Sequence, residues 1–252
     1  MGRGLSFQGI KAYGWTRTAG GPPSDSVCEA WMKTVIVYED EHILVCHKPA
    51  GLAVQSARAS EMDMESELRN YLHGGALHVI HRLDQPVEGL LVFAKSRAMA
   101  AKLDAQMRDG RMRKYYRALV CGKMPQEEGV LIDEIVKKGS GIGAVVTKSA
   151  ECPEGAKRAV LTYQVETYDD DTNVSNVKIC LKTGRFHQIR LQFSHAGHPL
   201  VGDRKYGDEN AKALANTMGI TNVALCAEQL CFLHPETGNE LAFCITPGFH
   251  KK

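Results

Sequence analysis

Short apolar segments of strand length recur along this chain, and they constrain its fold more than any other feature. They are rich in Val, Ile, Leu, Tyr and Phe, and turn residues separate them, as is typical of strands. The clearest are HILVCHK, GLLVFAK, KYYRALVCG and NVKICLKTG. In AVLTYQVETY, Leu161, Tyr163 and Val165 alternate with polar residues, which predicts a strand with one buried face. EQLCFL and ELAFC lie on either side of a turn and predict a hairpin.

Fewer segments have helical spacing, and EMDMESELRNYLH is one of them. Ser96 is a typical N-cap for a second helix, in which Met99, Leu103 and Met107 lie four residues apart and predict a buried stripe. A third helix is predicted over residues 187–196, because a glycine follows directly. Strands therefore dominate, and the chain is predicted to belong to the α+β class with long antiparallel pairings.

The length of the chain limits the number of domains. With 252 residues, 44% of them hydrophobic, it can form one sizeable core. Residues 1–31 lack a sustained period and include the loop-like GGPPSDS, so we expect a disordered or non-native extension there and a domain over residues 32–252. No run of about 18 apolar residues occurs, so no membrane helix is expected. The first thirty residues also lack the apolar segment of a signal peptide.

The eight cysteines are scattered, and none forms a C-x-x-C pair. Most of them lie inside apolar segments, which favours reduced thiols in a cytoplasmic protein. The ligand spacing of a structural zinc site is absent, so no structural metal is expected.

Charge is distributed unevenly, although the formal net charge is only +2. Residues 95–117 contain eight Lys or Arg against two Asp, and residues 181–207 contain five against one. Aromatic residues lie among these cations, as in many nucleic-acid-binding surfaces. The alternative is that they form ordinary solvated helix faces, but the composition favours a phosphate-rich partner.

Polar residues interrupt the apolar stretch HVIHRLDQPVEGLLVFAK at a point where a core strand would not need them. Asp84 lies between apolar segments, close to His81 and Arg82. A carboxylate in such a place stays ionised only when it is paired. It is either a nucleophile, which requires no metal or cofactor, or a structural aspartate bound to an arginine.

A second polar cluster lies in TGRFHQIRLQFSHAGHPLVGDRKYG. Arg185, His187 and Arg190 fall within six positions of one another. His195 and His198 have a spacing of three, but H-E-x-x-H is absent and a proline follows the second histidine. A role at the helix end is therefore favoured over metal binding. The G-D-x-x-Y-G segment that follows predicts a tight turn.

Together and in this order, HRLDxxxxGLLVFAK, KYYRALVCG and TGRFHQIRLQFSHAGHPLVGD resemble the RluA-type pseudouridine synthases. The resemblance extends from about Thr34 to Pro247 and includes the segment H-K-P-A-G. It implies the pseudouridine synthase catalytic fold, a bent mixed or antiparallel sheet with flanking helices and a central cleft. It also implies the reaction, in which an aspartate attacks a uridine in RNA. The bond between base and ribose breaks, and the base turns and is rejoined through carbon, with no cofactor or metal.

The resemblance implies a role for each matching position. Asp84 is the implied nucleophile, Tyr116 the ring that stacks on the base, and Arg190 the partner of the aspartate. An aromatic ring is a suitable platform for an extruded base. The sequence leaves the role of Arg185 and His187 undecided: they shape the pocket, contact the RNA backbone or are purely structural. The residues expected to bind the substrate are His81, Arg82, Arg185 and His187.

The chain departs from the common family pattern at two places. The usual Thr-Ser before the glycine is Val87-Glu88, and the usual Arg-Thr-His contains Phe186 instead of threonine. A Glu88 carboxylate inside the pocket would disfavour ionisation of Asp84, whereas one pointing away would mainly affect substrate choice. Residues 1–31 are too short for the basic RNA-binding domain of several relatives. The catalytic domain itself is therefore expected to bind an rRNA or tRNA stem-loop.

Two other classes of function remain open from the sequence. A non-catalytic RNA-binding protein that kept the fold is favoured by the departure before Gly89 and opposed by the intact catalytic positions. A metal-dependent hydrolase would be built on His195, His198 and Asp203. The leading expectation is an isomerase that works on RNA as a cytoplasmic monomer, without a membrane partner.

Overall fold

One mixed β-sheet runs through the residues that this computed structural model describes, which are 12–13, 32–56, 61–146 and 153–250. Among those residues the sheet has twelve strands. They are β1 (Ala12–Tyr13), β2 (Val35–Glu39), β3 (Ile43–Lys48), β4 (His78–Val79), β5 (Glu88–Ala94), β6 (Arg113–Cys121), β7 (Glu128–Lys138), β8 (Ile142–Val145), β9 (Lys157–Asp169), β10 (Val174–Leu181), β11 (Leu225–Leu233) and β12 (Glu240–Cys244).

The strand order places segments that are distant in sequence next to one another. Along the sheet the order is β2-β3-β5-β11-β6-β10-β9-β7-β8, with β12 beside β11, β4 beside β5 and β1 beside β12. Neighbours are antiparallel, except that β5 with β11 and β1 with β12 are parallel. The α+β class predicted from the sequence is confirmed. The predicted C-terminal hairpin is β11–β12, in which Leu230 lies opposite Phe243.

Four helices accompany the sheet in the described part of the chain. They are α1 (Met64–Tyr71), α2 (Arg97–Arg108), α3 (Gln188–His195) and α4 (Glu209–Thr217). The predicted cap of α2 is confirmed, since the Ser96 hydroxyl accepts a hydrogen bond from Met99 N. Asp63 and Asp208 cap α1 and α4 in the same way. At α3 the N-cap is His187, which has a left-handed backbone (φ 48°) and makes no side-chain cap.

Strand β5 is buried on both faces. Leu90 and Val92 belong to the hydrophobic cluster that includes residues of α2, whereas Leu91 and Phe93 belong to the larger cluster on the other face. A strand covered on both sides has a continuous apolar run instead of an alternating one, which explains GLLVFA.

Helix α3 packs on the larger of these clusters. Ile189 and Phe193 are buried there together with Tyr116 of β6. The rings of Phe193 and Tyr163 meet edge to face, with their centroids 5.8 Å apart. This packing fixes α3 against β6 and β9, and thereby the polar residues at its N-terminus.

The predicted extension over residues 1–31 lies outside the described residues, with one exception. Ala12–Tyr13 pairs in parallel with Ala242 and Phe243 of β12. Among the described helices, none is long and apolar enough to cross a membrane.

Candidate active site

Asp84 lies in the turn that leads into β5. Its carbonyl oxygen accepts a hydrogen bond from Val87 N at 3.0 Å, and the carbonyl of Gln85 accepts one from Gly51 N at 2.9 Å. Val87 is buried in the larger hydrophobic cluster, so the turn is fixed to the core. The Asp84 side chain remains 28% exposed. The turn therefore presents a carboxylate to a ligand from the end of a buried strand.

Lys48, at the end of β3, is completely buried beside this turn. Its ammonium group donates to three carbonyl oxygens, those of Pro49, Leu52 and Gln85, at 2.7–3.0 Å. Burial lowers the pKa of Lys48 to about 8, although the charge of Asp84 opposes the shift. Lys48 thus ties the H-K-P-A-G loop to the residue next to Asp84, a contact that sequence reasoning missed.

Arg190 joins two carboxylates. Its Nη1 lies 3.2 Å from Asp84 Oδ2, while its Nε and Nη2 each donate to Asp203 at 2.7 Å. Asp203 also accepts the backbone N–H groups of Lys205 and Tyr206. Burial alone would raise the pKa of Asp203, but the hydrogen bonds from Arg190 dominate and lower it. The bidentate bond fixes the guanidinium so that one nitrogen always faces Asp84.

Tyr116 of β6 is buried close to Asp84. Burial, and then the negative charge of Asp84, raises the pKa of Tyr116, so the phenol is protonated at neutral pH. The ring is part of the larger hydrophobic cluster and is 5% exposed. The ring therefore offers an apolar surface for a base close to the carboxylate.

His187 completes the set of side chains around Asp84. Its Nε2 lies 3.7 Å from Asp84 Oδ2, and its Nδ1 lies 2.6 Å from Tyr206 Oη. The Phe186 ring stacks on the imidazole, with centroids 3.7 Å apart and planes 20° apart. Phe186, which departs from the family pattern, therefore packs against a residue of the site.

The other predicted substrate-binding residues are not in hydrogen-bond contact with Asp84. His81 is buried, and its Nε2 accepts Val92 N at 3.4 Å. Burial, together with Lys114, lowers the pKa of His81 far below its usual range, so the ring is neutral. Arg82 is exposed. Arg185 is exposed as well and donates from Nε to the carbonyl of Arg158.

The Glu88 carboxylate bonds to other groups than Asp84. Its Oε1 lies 2.9 Å from His47 Nε2, and its Oε2 accepts Gly248 N at 2.8 Å. The adjacent Val87 packs in the core. Of the two residues that depart from the family pattern, Val87 thus adds a buried apolar contact, and Glu88 adds a hydrogen bond to the C-terminal segment.

The three residues of the metal-hydrolase alternative are bonded to separate partners. His195 Nδ1 lies 2.9 Å from Asp133 Oδ1, and His198 Nδ1 lies 3.0 Å from the carbonyl of Cys121. Asp203 is bound to Arg190. In the described ranges, no group of three or more His, Cys, Asp or Glu could hold a metal ion.

The two basic segments use their charge differently. In residues 95–117, five of the eight cations form ion pairs with carboxylates from other parts of the chain or nearby. These five are Lys95, Lys102, Arg111, Arg113 and Arg117. In residues 181–207, Arg185 and Lys205 donate instead to backbone carbonyls. Arg185 and Lys205 are exposed, so their positive charge is available to a phosphate-rich partner near the N-terminus of α3.

Residues 42–195 match the RNA pseudouridylate synthase family. The chain is 34% identical over 209 residues to the dual-specificity RNA pseudouridine synthase RluA of Yersinia pestis. The aligned region covers 83% of this chain and 97% of that protein. It is 32% identical over 222 residues to ribosomal large subunit pseudouridine synthase C of Vibrio cholerae. That alignment covers 87% of this chain and 68% of the Vibrio protein. The structure of human RNA pseudouridylate synthase domain containing 4 has a similar fold, with a TM-score of 0.71 and 24% identity. The superposed region covers 87% of this chain and 90% of the human chain.

An aspartate paired with an arginine beside a buried tyrosine thus lies in a chain that belongs to the RNA pseudouridylate synthase family. Within that family the likeness is to the RluA type, so the resemblance stated from three motifs is confirmed. Pseudouridine synthases are isomerases, and the predicted class of enzyme is confirmed as well. Sequence reasoning found Asp84, Tyr116, Arg190 and His187, which the structure brings together.

Proposed function

We propose that this chain isomerises uridine to pseudouridine in structured rRNA or tRNA, with Asp84 as the nucleophile. The observation that carries the proposal is a partly exposed carboxylate paired with an arginine that is buried and held by a second carboxylate. The names of the relatives support RNA as the substrate, and one of them specifies the ribosomal large subunit.

The pairing of Asp84 with Arg190 suits a nucleophile. A guanidinium does not give up its proton in proteins, so it neutralises the carboxylate without protonating it. Since Arg190 is held by Asp203 at two nitrogens, it stays in place when Asp84 forms a bond to the substrate. The remaining exposure of Asp84 gives a flipped nucleotide access to the carboxylate.

Tyr116 is proposed as the surface on which the base stacks. Its buried ring and raised pKa favour an uncharged aromatic contact over that of a phenolate. Arg82, which is exposed in the segment before Asp84, is proposed to hold RNA around the flipped nucleotide.

RNA is proposed to contact the surface next to the N-terminus of α3. Exposed cations from the ends of β7, β9 and β10 lie there, and Lys137 lies 5.2 Å from the centroid of the Phe186 ring. A surface of this kind binds the phosphate backbone with little sequence preference. Its members are Lys137, Lys138, Lys157, Arg158, Lys182, Arg185 and Lys205.

Pseudouridine mapping of total RNA tests the proposal. Cells with and without the gene are compared, and the deletion is complemented with the wild type, with Asp84→Asn, or with the matched control Asp171→Asn. Asp171 is exposed in the turn between β9 and β10, so the same change there should be harmless. We expect at least one uridine to lose its modification, and the wild type and the control, but not Asp84→Asn, to restore it.

Two results would contradict the proposal in different ways. If Asp84→Asn restores the modification, Asp84 is not the nucleophile. If no uridine changes in rRNA or tRNA, and the purified protein binds RNA without modifying it, the chain is a non-catalytic RNA-binding protein.

The predicted location and assembly belong to the same proposal. We place the protein in the cytoplasm as a monomer. The location is supported by the described cysteines, which are free thiols as in a reducing compartment. Fluorescence microscopy and light scattering of the purified protein test these two points.

A further inference from the structure

Tyr206 links the backbone of β8 to the imidazole beside Asp84. Its hydroxyl oxygen accepts Gly143 N–H at 3.0 Å and lies 2.6 Å from His187 Nδ1. Burial raises the pKa of Tyr206, so the phenol carries its proton at neutral pH. Because the oxygen already accepts a hydrogen bond from Gly143 N–H, the phenol can direct its own O–H as a donor to His187 Nδ1.

This arrangement selects one tautomer of His187. If Nδ1 accepts a hydrogen bond from the phenol, the imidazole hydrogen is on Nε2. This N–H group points toward Asp84 Oδ2, 3.7 Å away. The opposite tautomer would place the lone pair of Nε2 against a carboxylate oxygen, which is electrostatically unfavourable. At 3.7 Å the Nε2–H group is too far from Asp84 for a hydrogen bond, so it remains available to a ligand.

Two aromatic neighbours hold the His187 imidazole in this orientation. Phe186 stacks on one face, and the Tyr206 ring meets it edge-on with centroids 5.5 Å apart. Tyr206 is itself held, since the Arg190 guanidinium lies 5.1 Å from its ring centroid. The imidazole makes no cap hydrogen bond to the helix that His187 precedes.

Burial of the imidazole ring favours its neutral form. Burial is the largest influence and lowers the pKa of His187 to about 4. Among the charged neighbours, Asp84 opposes this shift in pKa most, Arg190 and Lys205 contribute to it, and Asp203 opposes it as well. A neutral ring matters here because an imidazolium, unlike the guanidinium of Arg190, can give its proton to Asp84 and so remove the nucleophile.

We propose that Tyr206 is a positioning residue that holds His187 as the Nε2–H tautomer, and that this N–H donates a hydrogen bond to an oxygen of the nucleotide bound beside Asp84. The proposal rests on the function proposed above, because it assumes a uridine at Asp84. It gives His187 a role that a residue merely shaping the pocket would not have.

Nitrogen-15 NMR of the histidine-labelled full chain tests the tautomer without any substrate. The signal of His187 is assigned by its loss in His187→Gln. We expect an Nε2–H tautomer at pH 7, and a larger share of the Nδ1–H form in Tyr206→Phe, which keeps the ring under Arg190 but lacks the hydroxyl. Tyr168→Phe is the matched control, because Tyr168 hydrogen-bonds Asn173 at the opposite end of β9–β10. An imidazolium or an Nδ1–H tautomer in the wild type would overturn the proposal.

Kinetics on the RNA identified by mapping test the donor itself. Gln places its amide N–H near the position of Nε2, whereas Asn tolerates the left-handed backbone but reaches only the position of Nδ1. We expect kcat to fall by about tenfold or more in His187→Asn, with partial rescue in His187→Gln and little change in KM. Equal losses in both variants, or a change confined to KM, would overturn the donor role.

The two proposals fail in distinguishable ways. If the wild type modifies no RNA, the proposed function fails, while the tautomer is still measured by NMR. If the wild type is active and Asp84→Asn is not, but His187→Asn retains full activity, only the inference about His187 fails.

Discussion

Replacing Asp203 with asparagine should cost much more stability than the loss of a surface ion pair. Asp203 is 1% exposed and Arg190 is 5% exposed, and two hydrogen bonds of 2.7 Å join them. A buried ion that loses its partner destabilises a protein by about 3–5 kcal/mol. Asparagine keeps one acceptor oxygen, and Asp84 still faces the guanidinium. We therefore expect a loss of about 3 kcal/mol, at the lower end of that range.

Activity should fall in the same variant. With Asp203 uncharged, Nε and Nη2 of Arg190 lose their strongest acceptor, and the contact of 3.2 Å with Asp84 is no longer fixed. A misplaced catalytic partner reduces kcat by up to about 10²-fold. The loss should persist at temperatures where the variant is fully folded.

Urea unfolding followed by circular dichroism measures the stability of wild type and Asp203→Asn, and pseudouridine formation measures the rate. Glu209→Gln is the control, because Glu209 is 91% exposed and its pair with Lys212 should contribute less than about 1 kcal/mol. A variant whose free energy of unfolding lies within about 1 kcal/mol of the wild type would refute the argument that Asp203 anchors a buried arginine.

Three further changes have expected outcomes. Gly89→Ala places a Cβ 2.5–2.8 Å from Ala227 at a φ of 146°, so the parallel contact between β5 and β11 must open. The melting temperature should fall by at least about 5 °C. The control Gly184→Ala, whose Cβ meets nothing within 4 Å, should be nearly neutral. Lys48→Met leaves three carbonyl oxygens without their donor, so stability should fall by about 2 kcal/mol or more. The rate constant kcat should fall as well, and unchanged kcat in the folded variant would show that this lysine does not position the nucleophile. Below pH 6.5 the unfolded chain binds a proton that folded His81 excludes, so stability should fall by up to about 1.4 kcal/mol per pH unit. His81→Gln should flatten that slope in urea titrations, and an equal slope in both proteins would disprove the assignment.

Periodicity predicted most of the sheet, because most strands have a clear burial pattern. β5, β6, β9, β10 and the β11–β12 hairpin follow segments that were recognisable in the sequence. β7 was not recognisable, since Val130 and Ile132 are exposed apolar residues on a strand that carries charges at both ends. α4 was missed because its short sequence, ENAKALANT, buries only Ala211 and Ala215.

Segment charge was a less reliable guide than hydrophobic pattern. Residues 95–117 are strongly basic as a sequence, but Glu39, Glu166, Glu228 and Glu236 reach them from distant strands and loops. Summing charge along a segment ignores partners that only the fold supplies. The cations near α3, in contrast, keep much of their charge exposed.

Within the site, the sequence identified the residues that motifs contain and missed those defined by long-range contact. Asp84 and Arg190 lie 106 positions apart and were matched only through the family resemblance. Asp203 and Tyr206 lie in the segment predicted as a tight turn, and Lys48 lies in the H-K-P-A-G segment. Their roles depend on which side chains the turns face, and no local pattern encodes that.

The burial of β5 on both faces has a consequence for motion. Its residues from Leu90 to Phe93 pair with β3 and are covered by a hydrophobic cluster on each face of the sheet. The backbone amides of such residues exchange their hydrogens with solvent only when the whole domain unfolds. Asp84, six residues before Leu90, is joined to this slowest-exchanging element by a single hydrogen-bonded turn. The turn that carries the carboxylate is therefore anchored to a slowly exchanging part of the domain, and we expect its backbone to change little when RNA binds.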